Sequence, residues 1–149
     1  MKKLGLLFLL LLFFGCDTNT DATVTGKWYT YAESGDYMEL WIGEDRAMSY
    51  LSSVDEFLLY DLNREGKRLK FSLIESKLID EHQFELEVIQ TGEEMLKTIF
   101  ISDTRIDSLK TYFLLSGDTP LLASTLEGNR QNMEELFIRL ETSHAGHDH

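Results

Sequence analysis

From Gly26 onward the chain is cut into short runs of aromatic and β-branched residues, stopped by turn residues at intervals of about ten. The stops are Ser34-Gly35-Asp36, Gly43-Glu44-Asp45, Ser52-Ser53, Asn63-Arg64-Glu65-Gly66, Asp80-Glu81, Thr91-Gly92, Ser102-Asp103 and Gly117-Asp118. The spacing predicts eight strands, over residues 27–32, 37–42, 47–51, 57–62, 68–75, 83–90, 95–101 and 108–115. Leu69, Phe71 and Leu73 alternate with Lys70 and Ser72, and Phe84, Leu86 and Val88 with Glu85 and Glu87. Side chains leave a strand on opposite faces in turn, so each of these has one dry and one wet face, as antiparallel sheets allow. The only proline, Pro120, lies outside all eight and interrupts no ladder. Eight strands in succession with no helix between them predict an antiparallel eight-stranded meander. Closure into a barrel or half-closed barrel is favoured, because it removes exposed edges that invite aggregation.

The period changes near the C-terminus. Met133, Leu136, Phe137 and Leu140 fall at i, i+3, i+4 and i+7, with Gln131, Glu134, Glu135 and Glu141 off that stripe. Gly128-Asn129 supplies a stop and an N-cap just before it. A helix over 130–142 is predicted, its stripe laid against the sheet or plugging one barrel end, in a purely packing role. The fold class is all-β with a C-terminal helix.

The first fifteen residues have a different character. Lys2 and Lys3 precede an apolar run from Leu4 to Phe14, broken only by Gly5. At about eleven residues the run suits a signal peptide and falls well short of the ~20 needed to span a bilayer. Gly15 follows, and then Cys16, the one cysteine of the chain. This order resembles the bacterial lipoprotein signal. The resemblance implies cleavage before Cys16, fatty acylation of its thiol (palmitate among the chains), and anchoring in the cell envelope outside the cytoplasm. Two or three acyl chains make such an anchor stable. The competing reading is a conventionally secreted chain whose Cys16 sits near the cleavage site by coincidence. Asp17 resembles an inner-membrane retention signal in some bacteria and a surface-export signal in others, so inner and outer membrane both stay open. The organisation expected is a signal peptide at 1–15, lipidated Cys16 and a flexible polar stalk at 16–25, the β domain with its helix at 26–142, and a His-rich tail at 143–149.

Removal of the signal leaves about 134 residues, enough for one domain with a real core. The formal charge of −12 grows more negative by the two lysines lost. So acidic a chain repels phosphate backbones and anionic headgroups, which argues against nucleic acid as a partner. No cysteine remains for a disulfide, a thiolate-bound metal or a thiol nucleophile, and the apolar core must hold the fold alone.

Gly26-Lys27-Trp28 opens the first strand. A large flat side chain can fill a tapering barrel base while a glycine lets backbone approach it. The pattern resembles the start of the lipocalin-like families, specifically the loose bacterial lipocalin-like lipoprotein group. That resemblance implies Trp28 at a closed base and a small apolar ligand at the open end. Tyr29, Tyr31, Tyr37, Trp41, Tyr50, Phe57 and Tyr60 follow as an aromatic series. By alternation Tyr37 and Trp41 share one face of their strand, and Met38, Leu40 and Ile42 the other. Either the second apolar face is covered by the helix or a partner, or the barrel interior holds an apolar ligand against Trp41 and Tyr37. Trp28, Tyr37 and Trp41 are the candidate ligand-binding residues, with plain core packing the alternative for Trp28.

His144, His147, Asp148 and His149 form a tail that could bind Zn²⁺, Cu²⁺ or Ni²⁺. The alternative is a solvated terminus of incidental composition. No other cofactor is expected. There is no G-x-S-x-G elbow, no H-E-x-x-H, no glycine-rich phosphate loop and no nucleophile beside a base, and His82 sits at a strand start as an ordinary turn residue. An enzyme is not expected. The leading expectation is a membrane-anchored, non-enzymatic lipocalin-like domain that binds a small apolar ligand or an envelope protein. The alternatives are a metal-handling lipoprotein using the tail, and a structural or accessory subunit of an envelope complex.

Overall fold

The computed structural model describes residues 24–102 and 105–144. Cys16, the segment expected to be a signal peptide, and His147, Asp148 and His149 lie outside the described residues. Eight strands run in order: β1 (Gly26–Tyr31), β2 (Tyr37–Ile42), β3 (Arg46–Leu51), β4 (Glu56–Glu65), β5 (Arg68–Glu75), β6 (Gln83–Thr91), β7 (Met95–Ser102) and β8 (Arg105–Ser116). Each pairs antiparallel with its neighbour in sequence, and β1 also pairs with β8, so the meander is a fully closed up-and-down barrel. The strand at 57–62 runs three residues further than the turn-like Asn63-Arg64-Glu65 implied. Those polar residues pair with Lys70, Leu69 and Arg68, and the reversal is made by a two-residue turn with Gly66 at φ +59°.

Alternation sends one side-chain set inward. Trp28, Leu40, Ile42, Ala47, Leu58, Tyr60, Leu62, Leu69, Phe71, Leu86, Val88, Leu96 and Tyr112 form one contiguous buried cluster with Val24. Trp28 sits where the chain enters, and its indole N–H donates to the Val24 carbonyl at 2.9 Å. Gly26 next to it is required twice over, by φ +142° and because a Cβ would stand 2.9 Å from the Ser116 carbonyl oxygen. Toward the other end Phe71, Phe84 and Phe100 stack at 4.4 and 5.5 Å, with Tyr60 edge-on to Phe71 and Phe84.

The helix α1 (Arg130–His144) lies on the outside of this wall. Its Leu136 is fully buried, with Met133 and Leu140 beside it, against the outward side chains Trp41, Met48, Tyr50, Phe57 and Leu59 of β2, β3 and β4. The stripe therefore lies along the barrel wall and leaves the barrel end alone. Both faces of the early strands are apolar because one lines the barrel and the other carries the helix. Asn129 is not the N-cap expected from its position. It belongs to a 3₁₀ turn (Glu127–Asn129) that runs straight into α1, and its buried amide is turned back onto the preceding loop. There it accepts from the Ala123 amide at 3.0 Å and donates to the carbonyls of Ala123 and Thr125 at 3.0 and 2.7 Å. Thr125 supplies the cap-like bond, its hydroxyl accepting from the Gly128 N–H at 3.1 Å.

Candidate functional site

On β2 the side chains of Tyr37, Glu39 and Trp41 leave the same side of the strand, toward α1. Glu39 has no exposed surface, and a carboxylate taken out of water needs its lone pairs filled. Four bonds do this. The Tyr37 hydroxyl donates at 2.6 Å, the Trp41 indole N–H at 2.6 Å, and one Arg139 nitrogen reaches both oxygens at 3.0 and 2.7 Å. Arg139 comes from the helix, so the ion pair ties α1 to the wall. Burial, and then the bond to the Glu39 carboxylate, push the Tyr37 phenol well above the ordinary tyrosine range. Lys27 of β1 stands 4.3 Å over the Trp41 ring and pairs with Glu135 at 3.2 Å, a second clasp on the same helix.

Beside this clasp, the last turns of α1 and the β1–β2 wall enclose a cleft of about 780 Å³. Its walls are Tyr29, Tyr31, Tyr37 and Tyr50, with Asp36 and Leu140 at its borders. The β1–β2 turn holds Asp36 there, through the Ala32 amide bonded to the Asp36 carbonyl and the Gly35 amide to the Ala32 carbonyl, with Gly35 at φ +89°. Tyr29 and Tyr37 lie nearly parallel (27°) at 6.1 Å, while Tyr31 stands across them at 88° and 62° with centroids 6.3 and 5.5 Å away. Phe113 extends the aromatic wall 5.6 Å from Tyr29. Tyr31 is 62% exposed and Phe113 46%, so this wall faces solvent where the helix leaves it bare.

The three residues singled out from the sequence for ligand binding do not converge. Trp28 lies inside the barrel, whereas Tyr37 and Trp41 lie outside it. Trp41 is sealed beneath α1, and only Tyr37 reaches the cleft. Glu39 and Arg139 were not legible as partners, although a carboxylate placed two residues from an aromatic on either side, on one face of a strand, was a usable signal. Among the described residues no three His, Cys, Asp or Glu side chains converge as a metal site, and His144 is the last residue of α1. His82 shares a hydrogen bond of 3.1 Å with the Tyr60 hydroxyl at the aromatic end of the barrel. Comparison with protein families, curated proteins and solved structures finds no match for the chain.

Proposed function

We propose that this chain is a non-enzymatic binding domain of the cell envelope, tethered through a lipid on Cys16, that holds a small amphipathic ligand in the tyrosine cleft on the outer wall of its barrel. The cleft carries the reading. Its volume of about 780 Å³ lies within the ~300–1,000 Å³ of small-molecule sites. Tyrosine offers a rigid apolar face and a hydroxyl for little lost rotamer freedom, which suits it to binding surfaces. The barrel interior is the weaker site, since Trp28, Tyr60, Phe71 and Tyr112 already occupy it as part of one core. The closed eight-stranded barrel is compatible with a lipocalin-like binding domain, with the ligand moved from the lumen to the wall.

Native mass spectrometry of the full chain purified from its own host tests this. A retained small molecule is expected on the parent protein. It should be lost from a Thr142→Trp variant, in which an indole enters the cleft from an exposed helical position. The same mass retained by that variant would refute the assignment of the cleft.

A further inference from the structure

We propose that the tyrosine cleft is a site for an organic cation, a quaternary or alkylated ammonium group, an inference that rests on the cleft being the ligand site. Three observations converge. The first is the ring geometry. Tyr31 stands at 88° and 62° to the nearly parallel pair Tyr29 and Tyr37, with all three centroids 5.5–6.3 Å apart. The three rings thus form a corner in place of a continuous stack, and all three line the cleft, so more than one ring is within reach of a cation held there. An aromatic face carries the negative lobe of the ring quadrupole and attracts a cation placed over it.

The second is the charge left in the cleft. Among the described residues that line it, Arg139 is the one cationic side chain, and its terminal nitrogen is held by both oxygens of the buried Glu39. The charge without an ion pair among the described lining residues is the carboxylate of Asp36, which accepts from the Ser34 hydroxyl, in a chain of net charge −12. An anion would meet Asp36 and the ring faces with the wrong sign. A neutral apolar molecule would touch the same rings but draw nothing from Asp36. An alkylated ammonium uses both, and its methyl groups keep water from binding it tightly, so little hydration is lost on entry. The third is that the same wall already pairs a cation with an aromatic face, where Lys27 stands 4.3 Å over Trp41.

The test is titration of the full chain, in a non-ionic detergent, with choline chloride and tetramethylammonium chloride by calorimetry. The uncharged isostere of choline, 3,3-dimethylbutan-1-ol, serves as the matched neutral probe. Choline should bind about tenfold or more tightly than the isostere, since several rings and one carboxylate discriminate between them. Tyr31→Leu keeps apolar bulk at an exposed position and removes one π face, and should weaken choline about two- to fivefold. Asp36→Asn should weaken it and flatten its dependence on salt. Equal affinity for choline and the isostere would overturn the cation inference while leaving the cleft as a ligand site. Choline affinity unchanged by both substitutions, or no binding of either cation, would overturn it as well. Loss of the cleft assignment itself would appear separately, as a carried-over molecule that survives Thr142→Trp.

Discussion

Replacing Arg139 with methionine keeps helix propensity and an aliphatic stem but removes the guanidinium that closes over Glu39. The Glu39 carboxylate, with no exposed surface, then retains only the Tyr37 hydroxyl and the Trp41 indole as donors. Breaking one side of a buried ion pair costs about 3–5 kcal/mol. Arg139 keeps 33% of its side chain exposed, so water reaches the site and the expected loss is lower, about 2–3 kcal/mol. With a total stability of ~5–15 kcal/mol and a urea m-value of about 1–3 kcal/mol/M, the unfolding midpoint should fall by about 1–2 M. Glu39→Gln is milder, because its amide can donate to the Tyr37 oxygen while its carbonyl still accepts from Trp41. In the double variant no charge stays buried, and its loss should fall short of the two single losses combined by about 1–2 kcal/mol. Urea unfolding followed by tryptophan emission is the assay, since Trp41 belongs to the contact. An Arg139→Met protein within about 0.5 kcal/mol of the parent, or strictly additive losses, would refute the reasoning and leave α1 fastened by the Leu136 stripe and the Lys27–Glu135 pair.

Alkaline pH should unfold the domain through its tyrosines. Burial pushes Tyr60 and Tyr112 up to about 12, and Tyr37 is raised by burial and by Glu39. The native state keeps protons that the unfolded chain releases near pH 10. Stability is therefore intact below about pH 10 and lost as pH rises toward 12, by about 1.4 kcal/mol per unit for each such tyrosine. Tyrosinate absorbance of the folded protein near pH 11 should report fewer than the six tyrosines of the chain, the remainder appearing on denaturation; six titrating together near pH 10 would contradict this. At the N-terminus, Cys16→Ala should abolish incorporation of labelled palmitate and move the protein out of the membrane fraction. Unchanged labelling and fractionation in that variant would end the anchoring proposal.

Much of the wall was legible from short-range pattern. β2 and β5 carry the bounds expected from their turn residues, and the split of Tyr37 and Trp41 from Met38, Leu40 and Ile42 is the split between outer and inner cluster. A period of two survives any tertiary arrangement, because it is a property of the extended backbone. Asn63-Arg64-Glu65 misled because polarity was taken for a turn, whereas a hairpin end in solvent needs only backbone pairing. Asn129 misled because a short polar residue before a helix can equally serve the loop behind it.

The chain alone determined that eight amphipathic strands and one amphipathic helix must share their apolar faces. It could not say which of the two faces of β2 would be the inside. That depended on β1 meeting β8 to close the barrel and on the wall to which α1 returned. Glu39 and Arg139, 100 positions apart, become partners only through that docking, and the tyrosine cleft exists only where the helix ends. Local pattern is set by backbone stereochemistry, whereas a site made across distant segments is set by how closed surfaces pack.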